Sequence, residues 1–122
     1  MPKVLVVDDS GLARRRARAI LEGAGFDVLE AEDGMAALER YFVDRPDVVL
    51  LDLVMRGMYG LDVLSKLREL DPEAKIIVVT ADVQTSSQEL VAGAGAAGFL
   101  VKPLEADEIV ATLNATLSGV RR

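Results

Sequence analysis

The chain has 122 residues, of which 51% are hydrophobic and 28% are charged, and its formal net charge is −6 at pH 7. This length fits one domain, and the apolar content excludes intrinsic disorder. The negative charge argues against nonspecific nucleic-acid binding, which depends on Lys and Arg neutralising phosphates. No apolar run approaches the roughly 20 residues that cross a bilayer, and no signal peptide is evident, so we expect a cytoplasmic protein without membrane insertion. Cysteine and histidine are absent, which excludes disulfides, thiolate metal sites and a histidine base or phosphocarrier within the chain.

Short apolar runs alternate with helix-like stretches along the chain. Runs of this length are typical of buried parallel strands, and they predict strands near 3–8, 26–30, 47–52, 75–80 and 97–101. Apolar residues at helical spacing predict helices near 11–23, 34–44, 59–70, 84–94 and 105–118. The third helix is expected to bury Leu61, Leu64, Leu67 and Leu70. Five strands alternating with five helices predict a doubly wound α/β fold in one domain, 1–122.

Polar side chains stand at the ends of four of the predicted strands. They are Asp8 and Asp9, Asp52, Thr80, and Lys102, which is followed by Pro103. The carboxyl ends of parallel strands lie along one edge of an open sheet, where ligands bind, so we expect these residues to converge. One Asp after a strand is often only a helix cap, but a common site explains all of these positions together.

The predicted cluster has a definite chemistry. Carboxylates are hard oxygen ligands of the kind that Mg²⁺ prefers. Because three neighbouring carboxylates repel each other, at least one should have a raised pKa without metal. Lys102 adds a cation suited to a phosphoryl oxygen, and Thr80 adds a hydroxyl donor. The set can support attack of a carboxylate on phosphorus.

The chain resembles the bacterial two-component response-regulator receiver domains, a family also called CheY-like, over essentially its whole length. The resemblance rests on Val-Leu-Val-Val-Asp8-Asp9-Ser10, Leu-Leu-Asp52-Leu-Val-Met55, Val-Val-Thr80-Ala81 and Gly95-Ala-Ala-Gly98-Phe99-Leu-Val-Lys102-Pro103. It implies a flavodoxin-like, five-stranded parallel sheet of order 2-1-3-4-5 with five helices. It also implies that Asp52 is the phosphoacceptor.

The resemblance extends to the residues around the acceptor. It implies that Asp8, Asp9 and Asp52 bind Mg²⁺ together with the backbone carbonyl of Val54. This metal is the expected cofactor.

Further roles follow from the same resemblance. Thr80 would bond the phosphoryl group and Lys102 would pair with it, and the Lys102-Pro103 peptide would be cis. Thr80 and Phe99 would act as the switch, because in the family the hydroxyl residue moves toward the phosphoryl group and the aromatic residue turns inward.

The implied function is a signalling switch. A sensor histidine kinase or a histidine-phosphotransfer protein would donate the phosphoryl group, and the chain would catalyse only its own phosphorylation and dephosphorylation. Its protein target would bind the surface of the fourth helix, fifth strand and fifth helix, and a phosphatase is a further partner class. We expect a stand-alone chemotaxis-type regulator without direct nucleic-acid contact. A receiver excised from a larger regulator or hybrid kinase, and a phosphorelay intermediate, stay open as alternatives.

Other classes of protein with this fold or chemistry have less support from the sequence. A phosphatase with an Asp nucleophile usually carries another acid two residues later, where this chain has Val54. An acidic switch point would repel a flavin phosphate, and the chain contains no Gly-x-x-x-x-Gly-Lys-Ser/Thr loop of an NTPase.

Some residues depart from the family's commonest pattern. Arg56 stands where Pro is frequent, and Val54 and Asp82 occupy the two positions that we expect to set the phosphoryl lifetime. The first helix carries Arg14, Arg15, Arg16 and Arg18. We expect these arginines to form a solvated face, with docking of the kinase as the second choice.

Overall fold

The computed structural model describes residues 2–55, 58–81 and 88–119. Its parallel sheet consists of β1 (Lys3–Val7), β2 (Asp27–Ala31), β3 (Val48–Asp52), β4 (Ile76–Thr80) and β5 (Gly98–Val101). The strand order is β2-β1-β3-β4-β5, which confirms the predicted topology. The helices between and after the strands are α1 (Gly11–Gly23), α2 (Gly34–Asp44), α3 (Gly60–Leu70), α4 (Gln88–Gly93) and α5 (Ala106–Leu117). The predicted beginning of the fourth helix, near residue 84, lies outside the described residues.

The sheet is covered on both faces, which explains its nearly continuous apolar strands. Successive side chains of a strand point to opposite faces. Leu5 and Val7 therefore join the core formed with α2 and α3, whereas Val4 and Val6 join the core formed with α1 and α5. All five residues of β3 and of β4 are buried. The last residues of these strands, Asp52 and Thr80, are consequently buried although they are polar.

One predicted core residue is wrong. Leu70 is 51% exposed, whereas Leu64 and Leu67 are fully buried. Leucines at every third position drift around a helix of 3.6 residues per turn, so Leu70 lies roughly 180° from Leu61. A strict spacing of three cannot keep four side chains on one face of α3.

A short antiparallel ribbon between β3 and α3 was not predicted. Val54 pairs with Tyr59, and Met55 pairs with Met58. Two-residue strands are too short to show a hydrophobic period, so the sequence pattern contains no signal for them. Within the described ranges, no helix has both the length and the apolar character needed to cross a membrane.

Candidate functional site

Three carboxylates converge at the carboxyl edge of the sheet. Asp8 and Asp9 directly follow β1, and Asp52 is the last residue of β3. Because β1 and β3 are paired neighbours, their ends bring these side chains together. One oxygen from each of the three lies within 4.8 Å of the others. The predicted convergence of acidic residues is therefore present in the structure.

Asp8 is held by the turn that leads into α1. Its backbone N–H donates to the carbonyl of Ala31 at 3.2 Å, which extends the β1–β2 pairing by one residue. Its Oδ1 accepts from the N–H of Ser10 at 2.9 Å. Ser10 in turn caps α1, because its Oγ accepts from the N–H of Ala13 at 3.1 Å. The capping residue thus also orients a carboxylate of the cluster, a role that the sequence reading missed.

Asp52 is buried between two donors. Its Oδ1 accepts from the N–H of Val54 at 3.3 Å, and its Oδ2 accepts from Lys102 Nζ at 3.3 Å. Burial is the largest influence on the Asp52 pKa and raises it; the Lys102 charge opposes this rise, and the Asp8 charge adds to it. The prediction of a raised carboxyl pKa is confirmed, but desolvation contributes more than the expected repulsion between carboxylates.

Lys102 joins the two buried carboxylates from the last strand's end. Its Nζ lies 3.0 Å from Asp8 Oδ2 and 3.3 Å from Asp52 Oδ2. Burial would lower the pKa of Lys102, but its hydrogen bond to Asp8 and the two negative charges outweigh that effect and raise the pKa. Its backbone N–H donates to the Thr80 carbonyl at 2.8 Å, and the Lys102-Pro103 peptide bond is cis.

The two expected switch residues lie on neighbouring strands. Thr80 is buried at the end of β4. Phe99 is half-buried in β5, packs against the core on the α3 side, and lines a cavity of about 400 Å³ between α4 and α5. Arg56 and Asp82, both singled out from the sequence, lie outside the part of the chain that the structure describes.

Gly60 is a second residue whose importance the sequence reading missed. Its N–H donates to the Leu53 carbonyl at 2.7 Å, which brings the start of α3 against the end of β3. A Cβ at this position would lie only 2.5 Å from the carbonyl oxygen of Asp52 and 2.6 Å from Leu53 Cα. Glycine is therefore required here by a close backbone approach beside the acceptor carboxylate.

The expectation of a solvated arginine face on α1 is wrong for two of the four arginines. Arg14 Nε lies 3.0 Å from Glu30 Oε1, and Arg18 Nε lies 2.7 Å from Glu30 Oε2. These hydrogen bonds, Arg18's first, lower the pKa of Glu30 against the opposing effect of burial. Arg15 and Arg16 are exposed as expected. The tertiary pairing with β2 decides which arginines turn inward.

A groove of about 540 Å³ opens beside the acidic cluster. It lies between α1 and the segment that follows β5, and its rim includes Leu12, Arg16, Pro103 and Leu104. Leu12 is 72% exposed. The carboxylate site thus adjoins a surface that combines apolar side chains with a cation.

The donors of the cluster fit a magnesium ion. All three side chains offer carboxylate oxygens, the hard donors that Mg²⁺ prefers, and they are close enough to share one ion. Their chemistry is unlike that of a zinc site, which is built mainly from sulfur and nitrogen donors.

Comparisons with known proteins agree with this geometry. Residues 4–114 match the model of the response regulator receiver domain family. The chain is 38% identical to the chemotaxis protein CheY of Bacillus subtilis strain 168 over 117 residues, covering 95% of this chain and 98% of that protein. It is 40% identical to the response regulator MprA of Mycolicibacterium vanbaalenii over 117 residues, covering 94% of this chain and half of that protein. Among solved structures, the response regulator TrrA of Thermotoga maritima, in complex with Mg²⁺ and BeF, superposes with a TM-score of 0.87 at 34% identity, covering 95% of this chain and 99% of TrrA. The chain belongs to the response regulator receiver domain family.

Proposed function

We propose that the protein is a phosphoacceptor switch in which Asp52 takes a phosphoryl group from the phosphohistidine of a sensor kinase or phosphotransfer protein. The observation that carries this proposal is the buried Asp52 carboxylate, clustered with Asp8 and Asp9 and bonded to Lys102. This arrangement combines a nucleophile, a set of metal ligands and a cation at one sheet edge. Membership of the receiver family supports the same reading.

The chemical step transfers the phosphoryl group from the imidazole nitrogen of the phosphohistidine to a carboxylate oxygen of Asp52. An Asp52 carboxylate oxygen attacks phosphorus and forms a new O–P bond. The N–P bond of the phosphohistidine breaks, and its electron pair stays on the imidazole nitrogen. Hydrolysis later resets the switch: water attacks the phosphorus, the O–P bond to Asp52 breaks with its electron pair returning to the carboxylate, and inorganic phosphate is released. The chain would turn over no other substrate.

Three carboxylates and one carbonyl would hold the cofactor. Asp8, Asp9 and Asp52 would bind Mg²⁺ with the backbone carbonyl of Val54, and the bound ion would neutralise charge on the transferring phosphoryl oxygens. TrrA is known in complex with Mg²⁺ and BeF, and its similarity to this chain supports the assignment. Lys102, which now bonds two carboxylates, would pair with the phosphoryl group.

Phosphorylation of Asp52 would affect the target-binding surface through residues of β4 and β5. The Thr80 hydroxyl would donate to the phosphoryl group, and Phe99 would change its packing in response. Phe99 borders the cavity between α4 and α5, so its movement would alter the shape of the α4–β5–α5 surface. Phenylalanine has no hydroxyl, so this effect on a protein target would come from shape. When two packings differ little in free energy, one new contact is enough to shift their populations.

The partners follow from the two surfaces on either side of the sheet edge. The groove with Leu12 and Arg16 at its rim would receive the histidine-containing donor. The α4–β5–α5 surface would bind the target protein, and a phosphatase is a further partner class. Similarity over nearly the whole length of the B. subtilis chemotaxis protein supports a chemotaxis-type regulator. The MprA match keeps a role within a longer regulator as the alternative.

The lifetime of the phosphorylated state would depend on Val54 and Asp82. Val54 is 61% exposed and has no group that could orient an attacking water. Asp82 is the second position, two residues beyond Thr80. We expect Val54→Asn and Asp82→Ala each to change the dephosphorylation rate severalfold. Phosphate release from the phosphorylated proteins measures this, and unchanged rates in both variants would refute the assignment.

Intact mass after incubation with acetyl phosphate and Mg²⁺ tests the proposed function. Wild type should gain one phosphoryl group only with Mg²⁺, and Asp52→Asn should gain none. Because some receivers accept phosphate only from a kinase, beryllofluoride binding is measured in parallel. Failure of wild type in both assays would refute the phosphoacceptor reading. Steady hydrolysis of a phosphomonoester would instead indicate an enzyme.

A further inference from the structure

Arg14 connects the backbone of the acidic cluster to strand β2. Its Nη1 donates to the carbonyl oxygen of Asp8 at 2.6 Å, and its Nε donates to Glu30 Oε1 at 3.0 Å. The Arg14 side chain is only 17% exposed. We propose that Arg14 is a positioning residue for the magnesium site, acting through the peptide bond between Asp8 and Asp9. This inference rests on the proposed function only in assuming that the cluster binds Mg²⁺.

The Asp8 carbonyl belongs to the same planar peptide group as the backbone nitrogen of Asp9, the next expected metal ligand. A peptide group is planar, so its carbonyl oxygen cannot rotate without moving the nitrogen and Cα of the following residue. The N–H and the carboxylate of Asp8 are already bonded to Ala31, Ser10 and Lys102. The guanidinium bond to the Asp8 carbonyl adds a restraint on the third polar group of Asp8, and thereby on the peptide plane that leads into Asp9.

Arg14 is itself held in place, as a positioning residue must be. Glu30 accepts from Arg14 through one oxygen and from Arg18 through the other, at 3.0 and 2.7 Å. The backbone N–H of Arg14 also donates to the Ser10 carbonyl at 3.0 Å in the first turn of α1. A guanidinium presents several donors in a fixed planar fork, so one side chain bonds two acceptors on separate elements. A lysine ammonium could not reproduce this geometry.

The direction of the change in Mg²⁺ affinity distinguishes a positioning role of Arg14 from a purely electrostatic one. Arg14 is a cation close to a cation site, so removing its charge alone would strengthen Mg²⁺ binding. Loss of the hold on the Asp8 carbonyl would instead weaken it, because the ligands would no longer be preorganised. Residues that orient metal ligands typically change metal affinity by about 10- to 100-fold when replaced.

Arg18 offers a matched control. It shares Glu30 with Arg14, but its other bond goes to Glu22 at 3.0 Å and not to the acidic cluster. Arg14→Gln and Arg18→Gln each remove one cation and one bond to Glu30. Only Arg14→Gln also releases the Asp8 carbonyl. A structural role in the α1–β2 contact would affect both variants alike.

The test is isothermal titration with Mg²⁺ on wild type, Arg14→Gln and Arg18→Gln, with unfolding curves to confirm that each is folded. We expect about tenfold weaker binding in Arg14→Gln and less than about a twofold change in Arg18→Gln. Unchanged or tighter binding in Arg14→Gln, or equal weakening in both variants, would overturn the positioning role while leaving the proposed function intact.

If Arg14→Gln does not fold, Arg14→Lys takes its place and should bind Mg²⁺ at least about threefold more weakly than wild type, since one of two bonds is lost. Wild-type affinity in Arg14→Lys would then overturn the inference. Absence of Mg²⁺ binding in wild type would overturn both the inference and the proposed metal site.

Discussion

Replacing Gly60 with alanine would place a methyl group against the backbone of the acceptor strand. The new Cβ would lie 2.5 Å from the Asp52 carbonyl oxygen, 2.6 Å from Leu53 Cα and 2.7 Å from the Leu53 carbonyl oxygen. Favourable contacts between non-bonded heavy atoms lie at about 3.5 to 4.0 Å, so the two backbones must separate by about 1 Å. No side-chain rotation can relieve this overlap, because all three contacts involve backbone atoms.

The expected loss of stability follows from that geometry. Overpacking by one methyl group usually costs about 1 to 3 kcal/mol. We expect Gly60→Ala to lie at the upper end, about 3 kcal/mol, because β3 is buried along its whole length and cannot move freely. Gly23→Ala is the matched control, since a Cβ there meets nothing within 4 Å. At this last helical residue the gain in helix propensity should stabilise the protein by about 0.5 kcal/mol.

Urea unfolding followed by far-UV circular dichroism measures both variants, a suitable choice because the chain has no tryptophan. The overlap lies at Asp52 itself, so folded Gly60→Ala should also bind Mg²⁺ more weakly than wild type, whereas Gly23→Ala should match it. A Gly60→Ala protein within about 0.5 kcal/mol of wild type would refute the close-approach argument, as would an equal loss in Gly23→Ala.

Two other substitutions test separate parts of the account. Tyr41→Phe removes the 2.7 Å bond to Asp71, the largest influence lowering the Asp71 pKa, and should cost about 0.5 to 1 kcal/mol near neutral pH. Because the hydrogen bond lowers the Asp71 pKa in the folded state, it stabilises the protein fully above the ordinary carboxyl pKa, and this stabilisation is lost as the pH falls through the folded-state pKa. The difference in unfolding free energy between wild type and Tyr41→Phe should therefore shrink in acid below about pH 4. A constant difference would contradict this. Lys102→Met removes the cation bonded to Asp8 and Asp52. Because a positive charge beside the carboxylates is lost, calorimetry should show severalfold tighter Mg²⁺ binding. Because the cation that would pair with the phosphoryl group is lost, mass spectrometry should show at least about tenfold slower phosphorylation by acetyl phosphate. Weaker Mg²⁺ binding or an unchanged rate would contradict the assigned role.

The strands and their polar ends could be predicted because both depend on local patterns. Four-residue apolar runs indicate strands covered on both faces, and the parallel arrangement then brings the strand ends to one edge. Asp52 converges with Asp8 and Asp9 for this reason, although it is far from that pair in sequence. The predicted strand boundaries differ from the structure by only about one residue at several ends.

The residues that support the cluster depend on tertiary contacts that no local pattern encodes. Arg14 belongs to a run of arginines that looks solvated, and only the packing of α1 beside β2 brings it to Glu30 and to the Asp8 carbonyl. The need for Gly60 arises from the approach of α3 to the end of β3, across a ribbon too short to show a period. Ser10 is the one of these supporting residues that a local pattern indicates, because a serine directly before a helix fits the N-cap preference.

The most direct test of the central claim is to locate the phosphoryl group on the chain. Borohydride reduces an aspartyl phosphate to the corresponding alcohol, and trypsin then separates the candidates, since residues 4–14 carry Asp8 and Asp9 whereas residues 41–56 carry Asp52. After treatment with acetyl phosphate and Mg²⁺, we expect the alcohol at position 52 alone. Reduction at Asp8 or Asp9, or at another carboxylate, would contradict the assignment of Asp52 as the phosphoacceptor.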